Sequence, residues 1–200
     1  MPSYLITGTS RGLGLGFAAE LLKDPKNLVI ATARNTASSS GLQKLKVEYP
    51  QNNRLILLDL DVSNVESIRA AVKTLEPLLP NGLDNLLSNA GVSYSSMKTF
   101  EEIDIAEFTS EVIFTVTAPF NLLREFLPLI RKSETKRALF VTSILGSIEL
   151  APNLPNLMNA YSVARAALNM LVRKWSVILK QEGITAAVIH PACNRLDWRN

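Results

Sequence analysis

The stretch SYLITGTSRGLG, residues 3–14, joins a short apolar run directly to three glycines with the spacing G-x-x-x-G-x-G. The following residues, 15–22, have the apolar period of a helix. A parallel strand that turns straight into a helix leaves the first helix amides unpaired, and these amides can hold a pyrophosphate. In this turn Gly8 permits the tight bend, Gly12 lets a phosphate approach the backbone, and Gly14 lets the helix lie close to the strand. The stretch therefore predicts a dinucleotide-binding turn.

The same alternation of short apolar runs and helical patterns continues along the chain, as expected of repeated βαβ units. We predict an α/β fold, a doubly wound parallel sheet of the Rossmann type, in a single domain spanning residues 1–200. The predicted strands are 3–7, 28–33, 55–59, 85–88, 138–142 and 185–190. The predicted helices are 13–23, 65–75, 105–131 and 157–181, with polar caps at 61–64 and a polar loop at 35–41.

Composition excludes several classes of function. The net charge of +3 comes from 21 basic and 18 acidic residues without a basic run, which argues against nucleic-acid binding. One cysteine (Cys193) and one histidine (His190) cannot build a disulfide framework or a metal centre, and we expect both to be packing residues. We find no signal-peptide pattern and no apolar stretch of roughly 18 to 20 residues, and therefore expect a cytoplasmic protein without a membrane partner.

Three stretches resemble motifs of the short-chain dehydrogenases/reductases. Residues 7–14 match that family's TGxxxGxG motif, LDV at 60–62 resembles its Asp-Val pair, and SNAG at 88–91 matches its Asn-Ala-Gly signature. The resemblance implies the strand order 3-2-1-4-5-6. It also implies that Asp61 meets the adenine amino group, and that Asn89 braces the central sheet and the adenosine ribose.

The end of the second strand predicts the cofactor. A site that prefers NAD usually has an acidic residue there, on the ribose 2′-hydroxyl, whereas this strand runs into Arg34. A guanidinium suits the 2′-phosphate of NADP, and Arg11 lies where NADP-preferring members of the resembled family have a second basic residue. We therefore predict NADP(H) as the cofactor. The predicted cofactor-binding residues are Gly8, Arg11, Gly12, Leu13, Gly14, Arg34, Asp61, Asn89, Tyr161 and Arg165.

The last predicted helix carries the candidate proton donor. A free tyrosine, with a pKa near 10, donates and accepts protons poorly at neutral pH unless a cation stabilises its phenolate. Tyr161 and Arg165 are four residues apart and share a helix face, which resembles the family's Y-x-x-x-K element with arginine in place of lysine. Arginine keeps the charge but cannot readily pass on a proton. Ser143 matches the family serine that hydrogen-bonds the substrate carbonyl, so the predicted catalytic residues are Ser143, Tyr161 and Arg165.

The sequence departs from the family pattern in three further places. Thr115 aligns with the family's catalytic asparagine, so the usual water relay to the lysine lacks both of its ends. The segment between Ser143 and Tyr161 is long and contains Pro152 and Pro155, which suggests an inserted loop over the pocket. After the sixth strand, Ala192 and Leu196 replace the family's glycine and threonine, and we expect the substrate lid and a seventh strand to be missing.

The stretch 157–170 is most similar to carbonyl reductases of the C-factor and sniffer type, with a fainter similarity to fungal ketoreductases of polyketide pathways. It implies an NADPH-dependent reductase of a small carbonyl compound, or its alcohol in the reverse direction. Two alternatives stay open: a catalytically weakened or repurposed nucleotide-binding relative, and a non-redox reaction such as cyclisation or isomerisation in the same pocket. Related proteins pair their two long helices between subunits, which predicts a homodimer or homotetramer.

Overall fold

The computed structural model describes residues 1–50, 54–92, 100–153, 155 and 159–191. Six strands form one parallel sheet in the order β3-β2-β1-β4-β5-β6, which confirms the predicted doubly wound Rossmann topology. A seventh strand does not occur within the described ranges. The strands are β1 (Ser3–Thr7), β2 (Leu28–Ala33), β3 (Leu55–Asp59), β4 (Asn85–Ser88), β5 (Arg137–Val141) and β6 (Thr185–Ile189). The helices are α1 (Gly12–Leu22), α2 (Ser40–Glu48), α3 (Val65–Leu75), α4 (Ile105–Lys132) and α5 (Asn159–Lys180).

The central strands are apolar on both faces because helices cover both faces of the sheet. Neighbouring residues of β1 show this directly: Leu5 and Ile6 are both fully buried, yet they belong to different core clusters. Leu5 joins the cluster formed with α3, α4 and α5, and Ile6 joins the one formed with α1 and α2. Successive side chains of a strand point to opposite faces, so one strand serves two cores.

Helix α4 is the longest element and supplies much of the larger core, through buried residues such as Leu122 and Phe126. By length and average hydropathy it could also cross a membrane, so the expectation that no stretch reaches that length was too strict. Its buried face packs against the sheet and α5, as in the core helices of many globular proteins. We therefore interpret α4 as a core helix.

Helix α2 was not predicted, because its first residues read as part of a polar loop. The structure begins the helix at Ser40, capped by the Ser39 hydroxyl, which accepts a hydrogen bond from the Leu42 amide at 3.4 Å. The helix has nine residues and buries Leu42 and Leu45. Two buried leucines are too few to produce a clear helical period in the sequence.

Other boundaries move by one or two residues, which is the usual uncertainty at helix and strand ends. Strands β5 and β6 each end one residue before the predicted end, at Val141 and Ile189. The predicted cap of α3 is confirmed, since the Asn64 side chain accepts hydrogen bonds from two first-turn amides.

The expectation that His190 packs inside was wrong, because it directly follows β6 and is exposed. Cys193 lies outside the described residues.

The parallel sheet has two unlike ends. We call the end at which strands finish the carboxyl edge; it carries the glycine turn, Arg34, Asp61, Asn89 and Ser143. We call the opposite end the amino edge; it is held together around Asp84, Ser3 and Ser133. Ligands of open α/β sheets bind beyond the carboxyl ends of the strands. The candidate site therefore belongs at the carboxyl edge.

Candidate active site

The glycine turn between β1 and α1 has the geometry of a phosphate cradle. Gly8 and Gly12 have φ angles of 71° and 58°, a region that favours glycine. A Cβ on Gly14 would lie 2.2 Å from the Gly8 carbonyl oxygen, so only glycine allows α1 to lie this close to the turn. A Cβ on Gly12, by contrast, would meet no atom within 4 Å. The turn is therefore tight on its inner side and open on the side where a ligand would approach.

The first turn of α1 has no side-chain cap from the part of the chain that the structure describes. Arg11 is the N-cap residue, and its backbone is extended. The first turn also contains no acidic residue that would oppose an anion. Unpaired amides and the positive end of the helix dipole make this a suitable anion site. The predicted residues Gly8, Arg11, Gly12, Leu13 and Gly14 thus lie together around one concave turn.

The turn is braced from the next strand along the sheet. The Asn89 side-chain amide donates hydrogen bonds to the carbonyl oxygens of Thr7 (2.9 Å) and Gly8 (3.2 Å). In return, the Thr7 hydroxyl accepts hydrogen bonds from the amides of Asn89 and Ala90, each at 3.0 Å. Asn89 therefore ties the end of β1 to the end of β4 and fixes the glycine turn.

Arg34 follows β2 and is exposed at the carboxyl edge. The carboxylate at the end of the neighbouring strand, Asp59, is engaged elsewhere: the amide and hydroxyl of Thr36 donate to it at 2.8 and 2.7 Å and hold its pKa below the ordinary value. Neither Arg34 nor Arg11 forms an ion pair with a residue in the described part of the chain. Both guanidinium groups are therefore available to a phosphate.

Asp61 lies close enough to Arg34 to sense its charge. The hydrogen bond from the Ser63 hydroxyl (2.6 Å) lowers the pKa of Asp61, and the positive charge of Arg34 lowers it further, against the opposing effect of partial burial. The Asp61 carboxylate is consequently ionised at neutral pH and can accept a hydrogen bond. The predicted adenine and 2′-phosphate contacts therefore fall in one region of the carboxyl edge.

Tyr161 and Arg165 meet on one face of α5, as their spacing predicts. The Arg165 guanidinium carbon lies 4.7 Å from the centre of the Tyr161 ring, within the range of a cation–π contact. Arg165 is 9% exposed, and its Nη1 donates to the Val141 carbonyl oxygen at 3.1 Å. Its Nε has no hydrogen-bond partner among the described residues. Buried polar atoms are nearly always paired, so this nitrogen marks a place where a ligand or water completes the site.

Ser143 lies just beyond β5 and caps a short 3-10 helix, Ile144–Gly146. Its hydroxyl oxygen accepts a hydrogen bond from the Leu145 amide at 3.2 Å. A hydroxyl has one donor as well as two acceptor positions, so a Ser143 hydroxyl that accepts from Leu145 can still donate its proton to a substrate oxygen. Ser143 is half-buried, as Tyr161 is.

Sequence reasoning missed the residues that fasten the Ser143 turn to α5. Asn169 accepts a hydrogen bond from the Thr142 hydroxyl at 2.6 Å and donates one to the Gly146 carbonyl oxygen at 3.2 Å. A Cβ on Gly146 would lie 2.9 Å from the backbone and Cβ of Arg165, so glycine permits this close approach. The sequence spacing does indicate that Asn169 lies near the site, because it follows Arg165 by four residues and so shares its helix face.

Thr115 faces the buried side of the same site. It is 4% exposed and lines a small pocket with Arg165, Ser88 and Gly91. Thr115, which aligns with the family asparagine, therefore lines the same pocket as Arg165. The predicted loop over the pocket is only partly described: Pro152 lies in a 3-10 turn, and residues 154 and 156–158 lie outside the described residues, as do Ala192 and Leu196.

Comparison with known proteins identifies a family that this chain matches over nearly its whole length. The family model described as short chain dehydrogenase matches residues 3–198. The short-chain dehydrogenase RED3 of Pyricularia oryzae is 31% identical over 190 residues, which is 94% of this chain and 75% of that protein.

Two solved structures with similar folds are described as carbonyl reductases. The NADPH-bound carbonyl reductase from chicken fatty liver has a TM-score of 0.85 and 30% identity, covering 96% of this chain and 79% of that one. The carbonyl reductase Sniffer of D. melanogaster has a TM-score of 0.86 and 29% identity, covering 96% and 80%.

Proposed function

We propose that this chain, which belongs to the short chain dehydrogenase family and is an oxidoreductase of that family, uses NADPH to reduce a carbonyl group of a small molecule. The observation that carries the proposal is the open glycine turn, at the same edge as Tyr161. Its helix amides have no side-chain cap, and Arg11 and Arg34 have no ion-pair partner, among the residues that the structure describes. The similarity to carbonyl reductases, one of them described as NADPH-bound, supports the choice of cofactor and reaction.

The residues fit this cofactor at both of its ends. The amides of the glycine turn would hold the pyrophosphate, Arg34 and Arg11 the 2′-phosphate, and Asp61 the adenine amino group. Arg165 and Tyr161 would lie at the nicotinamide ribose, where the unpaired Arg165 Nε would find its acceptor. When bound, NADPH supplies a hydride.

The chain itself supplies the proton and the groups that position the carbonyl. The Ser143 hydroxyl donates a hydrogen bond to the substrate oxygen while accepting one from Leu145. The Tyr161 hydroxyl donates its proton to the same oxygen as negative charge develops there. The fixed positive charge of Arg165 beside the ring stabilises the phenolate that results.

Calorimetric titration with NADPH and, separately, NADH tests the proposal. We expect micromolar binding of NADPH and at least about tenfold weaker binding of NADH, because only the former offers a phosphate to Arg34. The matched variants are Gly14→Ala, whose Cβ would meet the Gly8 oxygen at 2.2 Å, and Gly16→Ala, whose Cβ meets nothing within 4 Å. Gly14→Ala should lose binding and Gly16→Ala should keep it. Absence of binding to either cofactor by the folded chain would refute the reductase.

A second function, a nucleotide-binding relative without efficient turnover, is favoured by Arg165 and Thr115, which replace two residues of the family's proton relay. The two functions separate in one experiment. A reductase oxidises NADPH when supplied with reactive aldehydes or ketones such as 4-nitrobenzaldehyde. A repurposed relative binds NADPH with the same phosphate preference but does not oxidise it.

We further propose that the chain assembles into a homodimer or homotetramer through α4 and α5. Val163, Met170 and Val177 are 49%, 61% and 58% exposed and lie seven residues apart on α5, which forms an apolar stripe. Light scattering at micromolar concentration should give the mass of a dimer or tetramer, and Met170→Glu should lower it. Val47→Glu, at a 77% exposed position on α2, is the control. A monomeric mass for the unaltered chain would refute the proposal.

A further inference from the structure

The two arginines proposed for the 2′-phosphate lie on separate loops. Arg11 belongs to the glycine turn between β1 and α1, and Arg34 begins the loop, residues 34–39, that joins β2 to α2. Both side chains are exposed, and a long exposed side chain has many rotamers. Where each guanidinium can meet a phosphate is therefore set by the backbone beneath it. One phosphate can bind both groups only if the two loops keep a fixed separation.

The loop that carries Arg34 is anchored to the sheet at its middle. The amide and hydroxyl of Thr36 donate to the Asp59 carboxylate, at the end of β3, at 2.8 and 2.7 Å. The Thr36 carbonyl oxygen accepts hydrogen bonds from the Ser39 amide at 3.3 Å and from the Gln43 side chain at 3.0 Å. This loop therefore has a fixed shape between the end of β3 and the start of α2.

Ser39 joins this loop to the glycine turn. It is 7% exposed, and its hydroxyl donates to the Ser10 carbonyl oxygen at 2.9 Å. The Ser39 hydroxyl oxygen also accepts the cap bond from the Leu42 amide, at the longer distance of 3.4 Å. A hydroxyl can form both bonds at once, since it has one donor and two acceptor positions. The role of Ser39 as the cap of α2 therefore leaves its shorter bond, the one to the turn, unexplained.

The Ser10 carbonyl belongs to the peptide group that leads into Arg11. A peptide group is planar and trans, so a bond that holds its carbonyl oxygen also fixes the Arg11 N–H and the position of the Arg11 Cα. Close packing supports this arrangement: a Cβ on Gly41 would overlap the Leu15 side chain, so the first turn of α2 lies directly against α1. The hydrogen bond from Ser39 therefore sets where the Arg11 side chain leaves the turn.

The start of the glycine turn has anchors of its own. The amide and hydroxyl of Thr9 both donate to the Thr32 carbonyl oxygen at 3.0 Å. The Asn89 side chain holds the Gly8 carbonyl oxygen at 3.2 Å. Loss of the bond from Ser39 should therefore move the peptide before Arg11 and leave the start of the turn in place.

We propose that Ser39 is a positioning residue for the 2′-phosphate of the cofactor: its hydroxyl holds the peptide before Arg11 against the loop that begins at Arg34, so that both guanidinium groups can reach the same phosphate. The inference rests on the proposed use of NADPH and adds to it a residue that acts through Arg11. Loss of the hydrogen bond should weaken binding of the 2′-phosphate while the rest of the nucleotide binds as before.

Two nucleotides that differ only by the 2′-phosphate, 2′,5′-ADP and 5′-AMP, test the proposal. They represent the adenosine ends of NADPH and NADH and contain no nicotinamide, so the test does not depend on turnover. Calorimetric titration, by displacement for the weaker ligand, gives two dissociation constants, and we call their ratio the selectivity. We expect the unaltered chain to prefer 2′,5′-ADP by at least about tenfold, the contribution of one charge-assisted contact with a phosphate.

Ser39→Ala and Ser39→Gly both remove the donor to Ser10. A displaced guanidinium keeps part of its attraction for a phosphate, so we expect the selectivity to fall about fivefold in each variant. The affinity for 5′-AMP should stay nearly constant. Glycine is tolerated at a helix N-cap better than alanine, so urea unfolding should show the larger loss of stability in Ser39→Ala.

Two controls separate positioning from capping. Ser38→Ala removes the neighbouring hydroxyl, which donates to the Asn35 carbonyl oxygen within the same loop at 3.2 Å. Asn64→Ala removes the side-chain cap of α3. Both variants should keep the selectivity, although Asn64→Ala should lower the stability.

The Arg11→Ala background shows whether Ser39 acts through Arg11. With the guanidinium absent, Ser39→Gly should lower the selectivity no further, so the effects of the two substitutions should be non-additive. Additive effects would overturn the proposal. Equal losses of affinity for both nucleotides in Ser39→Ala and Ser39→Gly would also overturn it and leave Ser39 as a structural cap.

The measurement distinguishes this inference from the proposed function. An unaltered chain that binds 2′,5′-ADP no better than 5′-AMP would refute the choice of NADPH, and the positioning role of Ser39 with it. A chain that prefers 2′,5′-ADP, and keeps that preference in both Ser39 variants, would refute the positioning role alone.

Discussion

The two edges of the sheet satisfy their polar groups in opposite ways. At the amino edge, the Asp84 carboxylate accepts hydrogen bonds from the amide of Ser3 (2.8 Å), the hydroxyl of Ser3 (3.0 Å) and the hydroxyl of Ser133 (2.5 Å). At the carboxyl edge, the first amides of α1 have no side-chain cap, and Arg165 buries an Nε without a partner among the described residues. A polar group that is hydrogen-bonded within the chain stabilises the fold. A polar group that has no such partner, at one end of a rigid sheet, can bind a ligand.

The difference predicts that substitutions at the two edges change different quantities. Those that remove a ligand-facing side-chain group at the carboxyl edge should alter activity or cofactor affinity and leave stability nearly constant. Those at the amino edge should alter stability and leave cofactor affinity nearly constant. Four substitutions and conditions test this separation.

The largest effect is expected from Tyr161→Phe. Removing the hydroxyl removes the proposed proton donor, which is worth about 10²- to 10⁴-fold in kcat. The ring and its contact with Arg165 remain, so urea unfolding should change little. The measurement is the rate of NADPH oxidation with an aldehyde, beside the unfolding midpoint. Retention of most of the activity would assign the proton to another group and remove Tyr161 from the mechanism.

Asp84→Asn should produce the next largest effect, on stability. The amide that replaces the carboxylate can accept fewer of the three hydrogen bonds from Ser3 and Ser133, which should cost about 2 kcal/mol, or roughly 30-fold in the folding equilibrium. NADPH affinity should not change. Asp24→Asn is the control, because Asp24 is exposed and accepts one local hydrogen bond, from the Lys26 amide. Equal losses of stability in both variants would mean that the hydrogen bonds to Asp84 stabilise the fold no more than the single local hydrogen bond to Asp24 does.

Arg34→Ala should weaken NADPH binding about tenfold, the loss of one charge-assisted contact with a phosphate. NADH binding should remain as it was, since NADH has no 2′-phosphate. Arg173→Ala, at an exposed position of α5, controls for the loss of one positive charge. The measurement is the calorimetric affinity of the unaltered chain, Arg34→Ala and Arg173→Ala for NADPH and for NADH. If both cofactors lose affinity equally, Arg34 serves the turn as a whole and does not select the phosphate.

The sequence predicted most of the fold and the placement of the candidate site, for a physical reason. Buried parallel strands are near-continuous apolar runs, and a strand, three spaced glycines and a helix allow few conformations, so β1, the turn and α1 could be recognised directly. Helix α2 escaped notice because two buried leucines give little periodicity. The partners of Arg165 escaped notice because the Val141 carbonyl and Gly91 contribute backbone, which carries no side-chain signal.

The smallest expected effect is a change in how stability falls as the pH is lowered. Burial raises the pKa of Asp84, but the hydrogen bonds from Ser133 and Ser3 outweigh it and hold the pKa below its ordinary value. The folded chain therefore binds fewer protons at this residue than the unfolded chain, so its stabilising contribution is present above about pH 4 and is lost as the pH falls through the folded-state value. Urea unfolding at a series of acidic pH values should show a shallower loss of stability in Asp84→Asn than in Asp24→Asn. Parallel curves would place the acid sensitivity at Asp59 and Asp61, on the carboxyl edge, where the pKa values are also lowered.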